Sequence, residues 1–237
     1  MPDRHTNDST MISVIIPCLN EGADLERCLM DLQPMRAAGH ELILVNGGSR
    51  DLELMGKLQS SVDGLLHVSP GRALQMNRGA MQASGDVYWF LHADSRIDAD
   101  MHSAILRALS SEPTWGRFDV RLSGVHPLLR IIERMMNWRS CFSGIATGDQ
   151  GIFMDRRLFE KVGGYPDQPL MEDIAISRRL KRLTPGLCLP GPLVTSSRRW
   201  ESQGIIRTML LMWTLRFAYW IGVSPKYLAR LYPAVTG

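Results

Sequence analysis

The sequence has little of what marks several large classes of protein. Its cysteines are Cys18, Cys28, Cys141 and Cys188. None of them shows Cys-x-x-Cys spacing, so we predict neither a disulfide framework nor a zinc site. This scatter is typical of a protein in a reducing compartment. Basic residues number 27 against 24 acidic ones, a balance too even to indicate a nucleic-acid partner. Residues 1–10 lack the apolar core of a signal peptide, and we interpret them as a disordered tail of a cytoplasmic protein.

What the chain does have is a regular alternation of short apolar runs and helical stretches. Four apolar runs predict strands, at residues 12–17, 41–45, 64–68 and 87–91. Apolar residues at helical spacing separate them. Strand and helix alternating in this way indicate βαβ units, a mostly parallel sheet and the α/β class.

After Asp94 the pattern changes. We predict further helices at residues 101–109, 128–138 and 172–182, and strands at 116–122 and 151–154. No internal repeat and no low-complexity linker separates the two halves. The sequence therefore predicts two halves that share one core.

Polar and turn residues follow each of the first four predicted strands. They are Pro17, Asn20 and Glu21; Asn46, Gly47 and Gly48; Pro70, Gly71 and Arg72; and His92, Ala93 and Asp94. Each group alone would suit a simple turn. Because open parallel sheets bind ligands beyond the carboxyl ends of their strands, the four groups together predict one site.

These segments resemble glycosyltransferase family 2, whose members have the GT-A fold. The matching segments are Pro17-Cys18-Leu19-Asn20-Glu21, Asn46-Gly47-Gly48-Ser49, Arg72 to Asp94, Glu172-Asp173 and Arg198-Arg199-Trp200. The resemblance is to a short subset described as radical-SAM/selenodomain-associated transferases. It implies a GT-A-like nucleotide-binding sandwich, with a mostly parallel central sheet flanked by helices, over residues 11–200. Residues 11–94 would bind the nucleotide sugar, 95–200 would hold the acceptor and the catalytic groups, and 201–237 would form a helical appendage.

By this resemblance the donor is a nucleoside-diphosphate sugar, with uridine as the expected base. The expected donor contacts are Pro17, Asn20, Glu21, Asn46, Gly48, Arg72, Gln75, Asn77, His92, Ala93 and Asp94. Asn46 stands where the family usually has Asp, and its amide oxygen is able to accept from a uracil N–H. Asp94 ends the segment that corresponds to the family's D-x-D motif, and is the expected ligand of Mg²⁺ or Mn²⁺. His92 replaces the first acid of that motif, and its role stays open between ribose, metal and structure.

The resemblance also assigns the catalytic and acceptor groups. Asp173 is the expected base that takes the acceptor hydroxyl's proton in an inverting transfer, with Glu172 as its neighbour. The alternative is that the pair only complements a helix N-terminus. The glycine-dense loop with Gly148, Asp149 and Gln150 is the expected acceptor contact. Arg198, Arg199 and Trp200 either close over the diphosphate or form a surface patch.

Residues 205–223 are almost wholly apolar but contain Arg207 and Arg216. A central arginine costs about 2.5–3.5 kcal/mol in a membrane span, so we do not predict one. Our first interpretation is a buried helix or a homodimer contact. The second is a peripheral contact with the inner face of a membrane, and a lipid-linked acceptor is among the candidates.

Motifs that are missing from the sequence exclude two other functions, and a third stays open. The first strand is not followed by Gly-x-Gly-x-x-Gly, which excludes a dinucleotide dehydrogenase. The basic glycine-rich segment of a sugar-1-phosphate nucleotidyltransferase is also missing. A catalytically weak or inactive nucleotide-sugar-binding protein stays open as the rival, because Asn46 and His92 both replace expected acids.

Overall fold

The computed structural model describes residues 10–109 and 112–232, and within them seven strands form one sheet. The strands are β1 (Ile12–Cys18), β2 (Glu41–Asn46), β3 (Gly64–His67), β4 (Val87–Phe90), β5 (Trp115–Leu122), β6 (Phe153–Asp155) and β7 (Leu187–Thr195). Their order across the sheet is β3-β2-β1-β4-β6-β5-β7. The first four strands pair in parallel, β6 runs antiparallel to β4 and β5, and β5 pairs in parallel with β7. The α/β sheet predicted from the sequence is confirmed.

Helices cover both faces of this sheet. They are α1 (Ala23–Ala37), α2 (Leu52–Leu58), α3 (Arg72–Gln82), α4 (Met101–Ala108), α5 (Pro127–Ser143), α6 (Arg156–Val162), α7 (Glu172–Leu180), α8 (Arg198–Gln203), α9 (Ile205–Trp220) and α10 (Pro225–Leu231). Every residue of β1 is buried. Alternate β1 residues enter two core clusters, one that includes α1, α2 and α4 and one that includes α3, α6 and α7. Burial on both faces explains why this strand reads as an unbroken apolar run.

Helix α3 lies unusually close to the sheet. A Cβ added to Gly79 would be 2.4 Å from Cγ2 of Ile15 and 3.0 Å from Cγ2 of Val45. Only glycine therefore fits at this approach. The contact holds α3 against β1 and β2, and it brings Arg72, the first residue of α3, to the carboxyl ends of those strands.

Two elements were not predicted from the sequence. Strand β7 contains Pro190, Gly191 and Pro192, residues that usually argue against a strand. It is tolerated because β7 is the last strand of the sheet and is irregular opposite Phe118 and Val120. Helix α6 follows β6 directly and was also not predicted.

The expectation that the chain has no disulfide is wrong in one instance. Cys141 at the end of α5 is bonded to Cys188 on β7, with their Cα atoms 5.8 Å apart. The sulfur atoms meet because β7 lies beside β5, on which α5 packs, and 47 residues separate the two cysteines in sequence. Spacing alone does not reveal such a pair. Cys18 and Cys28 are buried thiols.

The C-terminal helices pack on the second half of the chain. Leu215 of α9 and Leu228 of α10 are buried in a cluster with Met171 and Ile174. The outer side of α9 exposes a row of large apolar residues, namely Ile206, Leu210, Trp213, Phe217 and Trp220. No helix in the described part of the chain is long and apolar enough to cross a bilayer.

Three expectations about the chain's organisation stay predictions. They are the subunit or membrane contact of residues 205–223, the division at residues 94 and 200, and the tail, which falls outside the described residues except for Thr10.

Candidate functional site

The loops that follow β1 and β2 are fastened to each other. The backbone N–H of Asn20 donates to Oγ of Ser49 at 2.9 Å, and the backbone N–H of Arg50 donates to Oδ1 of Asn20 at 2.9 Å. These reciprocal bonds hold Pro17 and Glu21 at the edge where the parallel strands end. The first two groups of predicted donor residues therefore lie together.

Asn46 is buried at the end of β2 and shapes the turn that follows. Its Oδ1 accepts from the backbone N–H groups of Gly48, at 3.1 Å, and Ser49, at 2.8 Å. Its Nδ2 lies 3.3 Å from Nδ1 of His67. An amide oxygen has two lone pairs, and both are used here. A hydrogen bond donated by a nucleotide base to this oxygen stays a prediction, and it requires the turn to open.

Gln75 and Asn77 of α3 form hydrogen bonds to the backbone around the site. Nε2 of Gln75 donates to the carbonyl oxygens of Cys18, at 3.0 Å, and Val45, at 2.8 Å. Asn77 donates to the carbonyl oxygen of Tyr165 at 2.8 Å and accepts from its N–H at 2.9 Å. These amides fix the ends of β1 and β2 and the loop that leads to α7. Their predicted contact with the donor stays a prediction.

Two non-glycine residues among those described have positive φ, and each directly precedes a predicted site acid. They are Asn20, with φ 57°, before Glu21, and Met171, with φ 64°, before Glu172. Such conformations cost on the order of 1–3 kcal/mol and persist only where surrounding contacts enforce them. Their position beside the acids indicates that the fold holds Glu21 and Glu172 in fixed orientations.

Gly148 joins the end of β4 to the start of α7. Its backbone N–H donates to Oδ2 of Asp173 at 3.0 Å. A Cβ added to Gly148 would be 2.5 Å from Nε2 of His92 and 3.4 Å from Nη2 of Arg72. A glycine is therefore required between the imidazole and the carboxylate. The structure brings His92, Arg72 and Asp173 to one point.

Arg72 is the central cation of the site. Its Nε lies 3.7 Å from Oε1 of Glu172. Burial raises the pKa of Glu21, of Asp94 and of Asp149, and the charge of Arg72 partly offsets this rise in each of them. A guanidinium surrounded by these groups at a helix N-terminus suits a phosphate-bearing ligand.

The carboxylates around Arg72 are short of positive charge. Burial raises the pKa of Asp94, and the charges of Asp24 and Asp149 raise it further, against Arg72. Burial also raises the pKa of Asp149, and Asp173 adds to this. Asp149 thus acts on Asp94 and is itself acted on by Asp173, which is 79 positions from Asp94 in the chain (173 minus 94). Burial, and next the charge of Asp173, raise the pKa of Glu172 to about 7.

His92 is held as a neutral imidazole. Burial lowers its pKa well below the ordinary value, and Arg72 lowers it further. Its Nε2 is buried and has no hydrogen-bond partner in the described part of the chain. A polar atom buried in this way, pointing toward Gly148, is open to a ligand.

Two neighbouring residues of the predicted acceptor loop differ in their contacts. Gln150 is fully buried, accepts from the N–H of Thr147 at 3.1 Å and donates to Oγ of Ser140 at 2.9 Å. Asp149 has a buried Oδ1 without a partner among the described residues. The loop is therefore anchored to α5 by Gln150, while Asp149 turns toward the other acids.

The three residues of the late basic-aromatic segment point to different places. Arg198 lies 3.9 Å from Glu21 and 3.6 Å from Asp24, at the edge of the donor loops. Arg199 lies over the ring of Tyr232, 4.1 Å from its centroid. Trp200 packs on the apolar cluster under α5. Of the three, Arg198 is the one that reaches the predicted donor acids.

One cavity collects much of the predicted site. Its lining includes Pro17, Arg72, His92, Gly148, Glu172 and Asp173. Tyr165 also lines it, although no motif in the sequence marks that residue. Within residues 10–109 and 112–232, no group of three or more His, Cys, Asp or Glu side chains is placed to hold a metal ion.

Sequence reasoning also missed two arginines that face the acids. Arg139 of α5 and Arg216 of α9 both act electrostatically on Asp149 and Asp173. A charged residue within an apolar helix was the available signal. Composition alone makes Arg216 an argument against a membrane span and says nothing of the acids that it faces.

Known proteins resemble this chain in sequence. The family model described as glycosyl transferase family 2 matches residues 13–163. Poly-beta-1,6-N-acetyl-D-glucosamine synthase of Staphylococcus aureus is 26% identical over 199 residues, which are 76% of this chain and 48% of that protein. An uncharacterized glycosyltransferase of Mycobacterium tuberculosis is 30% identical over 165 residues, 65% of this chain and 62% of that protein. The chain thus spans about half the length of the synthase.

Solved structures share the fold. Staphylococcus aureus TarS in complex with UDP-GlcNAc superimposes with a TM-score of 0.62 at 15% identity, over 78% of this chain and 58% of that one. A mannosyltransferase from Pyrobaculum calidifontis in complex with GDP-Man and Mn²⁺ gives a TM-score of 0.56 at 19% identity, over 82% and 59%. At these identities the likeness is one of fold.

Proposed function

The chain belongs to glycosyltransferase family 2, and from that premise we propose that it transfers a sugar from a nucleoside-diphosphate sugar to an acceptor hydroxyl. We further propose a UDP-sugar as donor, inversion at the anomeric carbon, and dependence on Mg²⁺ or Mn²⁺. The structure of TarS with UDP-GlcNAc supports the choice of uridine. The mannosyltransferase with GDP-Man makes guanosine the base to compare it with.

The observation that carries the proposal is the contact of Gly148 with both Asp173 and His92. An inverting transfer needs a base on one side of the anomeric carbon and the diphosphate on the other. Through Gly148 the carboxylate of Asp173 lies near His92, which is two residues before Asp94 in sequence. This proximity supports the proposal that one sugar lies between the base and the diphosphate.

Arg72 and Asp94 are the groups that we assign to the diphosphate. Asp94 is the oxygen donor that we assign to a hard cation. Burial raises the pKa of this carboxyl, and the charges of Asp24 and Asp149 raise it further, so a bound cation would stabilise its ionised form. With one protein carboxylate, the residues fit an ion that takes its other oxygens from the donor and from water. When bound, that ion would neutralise charge on the departing diphosphate.

Side chains of this protein then accept the proton and stabilise the leaving group. Asp173 receives the acceptor's hydroxyl proton, held in place by the N–H of Gly148. Burial raises the pKa of Glu172 to about 7, and we assign the accepting role to Asp173 because the loop of Gly148 holds its carboxylate. The bond between the anomeric carbon and the diphosphate oxygen breaks as the bond to the acceptor oxygen forms. Arg72 faces the charge that develops on the diphosphate.

Binding and release of nucleotide test the proposal. We expect isothermal titration to show UDP binding in the presence of Mn²⁺ and its loss in EDTA. We expect chromatography to show release of UDP from a UDP-sugar panel, faster with acceptor extracts. A chain that binds neither UDP nor GDP with Mn²⁺ would contradict the proposed function.

A second candidate is a nucleotide-sugar-binding protein without turnover. It is favoured by Asn46, which is committed to its own turn, and by the neutral His92 in the place of a family acid. Tight binding of UDP-sugars with no release across the panel would select this candidate.

A further inference from the structure

Arg139 is a partly enclosed cation without a counter-ion in contact. It lies near the end of α5, where one of its terminal nitrogens reaches the carbonyl oxygen of Ile145 at 3.5 Å. The other terminal nitrogen is buried and has no hydrogen-bond partner in the part of the chain that the structure describes. Burial, and next the charge of Arg216, lower the pKa of this guanidinium to about 10.

Arg216 approaches the same place from α9. It follows Leu215, which is buried against Met171 and Ile174 on either side of the Glu172-Asp173 pair. Among the described residues Arg216 has no hydrogen bond and no ion pair, although Asp173 and Asp149 act on it electrostatically. Two helices from the second half of the chain thus bring two guanidinium groups toward the base.

These arginines differ from structural counter-ions. A structural ion pair brings its partners into contact, because the Coulomb attraction must offset the loss of hydration. Neither Arg139 nor Arg216 forms an ion pair within the described residues. The buried Nη2 of Arg139 lacks an acceptor among the described residues, and a phosphate supplies several oxygen atoms in a geometry that suits two arginines.

We propose that the acceptor carries a phosphate group, which binds between Arg139 and Arg216 while the acceptor's hydroxyl faces Asp173. This rests on the proposed function. The phosphate stays intact in the reaction. The hydroxyl oxygen forms the new bond to the anomeric carbon, its proton goes to Asp173, and the nucleoside diphosphate leaves with the electrons of the broken bond.

Such a phosphate has two sources, a soluble ester or a lipid headgroup. The same two helices expose apolar side chains on their outer sides; on α5 these are Leu128, Ile131, Met135, Trp138 and Phe142. Helices α9 and α10 contain no acidic residue, and the one acid of α5, Glu133, is buried. The experiment therefore includes a lipid arm.

The test measures binding to the full chain after UDP and Mn²⁺ have filled the donor site. One arm titrates glycerol 3-phosphate by calorimetry. The other measures co-sedimentation with vesicles of phosphatidylcholine, with and without phosphatidylglycerol. The variants are Arg139→Gln and Arg216→Gln, and the control is Arg207→Gln, an exposed arginine on α9. Retained UDP binding shows that each variant is folded.

We expect each of the two variants to bind the phosphate probe roughly tenfold or more weakly, and Arg207→Gln to match the wild type. If the two variants lose binding of glycerol 3-phosphate, the acceptor is a soluble phosphate ester. If they lose only the binding of vesicles that contain phosphatidylglycerol, the acceptor is a lipid. If neither probe binds, or all variants bind equally, the acceptor-phosphate site is overturned while the donor site stands. Failure of UDP itself to bind overturns the proposed function instead, and this inference with it.

Discussion

The backbone N–H of Gly148 donates to Oδ2 of Asp173 at 3.0 Å. Oδ1 of the same carboxylate accepts from the N–H of Ile174 at 2.7 Å. Both oxygens of Asp173 are thus held by backbone donors, one from the glycine loop and one from its own helix. A carboxylate fixed in this way has a defined direction for the proton that we propose it receives.

We expect Asp173→Asn to bind UDP with Mn²⁺ as the wild type does but to release nucleotide roughly 100- to 10,000-fold more slowly. The amide keeps the shape of the side chain and loses the ability to take a proton. Nucleotide release and UDP calorimetry are the two measurements. Asp167→Asn, at an exposed position in the preceding loop, is the control and should leave both unchanged. Normal turnover in Asp173→Asn would remove Asp173 from the base role.

We expect Gly148→Ala to lower turnover at least about tenfold, since a displacement of about an ångström at a reacting centre slows the reaction strongly. The urea midpoint of unfolding should change much less. The added Cβ would be 2.5 Å from Nε2 of His92, so either the ring or the loop must move. The measurements are nucleotide release and the urea unfolding midpoint. Gly56→Ala in α2 meets no atom within 4 Å, and this control should be neutral or slightly stabilising. Unchanged turnover in Gly148→Ala would show that the loop tolerates the shift.

The parallel half of this site was predictable because its signal is local. Strand β1 is buried on both faces, so its apolar run is continuous, and Glu21, Arg72 and Asp94 each follow a strand whose direction is fixed by the βαβ rule. Any residue just beyond such a strand lies at the same edge.

The rest of the site was harder to predict, because it depends on side-chain contacts and on the packing of helices that are distant in sequence. The turn of Asn46 closes on its own oxygen, and Gln75 bonds to two strand ends, which residue type does not reveal. Arg139 and Arg216 meet the acids only because α5 and α9 pack against elements far from them in sequence. The edge strand β7 carries two prolines and is formed by pairing with β5 and by a bridge to Arg96, both far away in sequence.

We expect Asp94→Asn to weaken the Mn²⁺-dependent part of UDP binding roughly tenfold or more, because it removes the one carboxylate assigned to the cation. Calorimetry with UDP, in Mn²⁺ and in EDTA, measures this part directly. Asp98→Asn, exposed four positions later, is the matched control. Equal Mn²⁺ dependence in Asp94→Asn and the wild type would contradict the assignment.

The stability of the unliganded chain should fall with rising pH through Glu172. Its pKa is raised from an ordinary 4.5 to about 7, so the folded state binds this proton more tightly than the unfolded state does. The resulting stabilisation is fully present below about pH 4.5 and is lost as the pH rises through about 7. The neutral variant Glu172→Gln should therefore gain stability relative to the wild type across that window. Urea unfolding at several pH values measures the difference. Glu26→Gln, exposed on α1, should show no such trend, and an equal trend in both variants would contradict the assignment.

Reduction should destabilise the chain through the Cys141–Cys188 bond. The bond closes a loop of 47 residues, for which loop entropy predicts about 4 kcal/mol of stabilisation at most. We expect Cys141→Ser to lower the free energy of unfolding by about 2–4 kcal/mol in oxidising buffer. Dithiothreitol should bring the wild type down to the same value and leave the variant unchanged, because the variant has no bond to lose. Mass spectrometry after alkylation without reductant provides an independent check, since Cys18 and Cys28 are thiols and the other pair is bonded. Four alkylated cysteines in oxidised protein would show that the pair does not form, and that α5 is held beside β7 by packing alone.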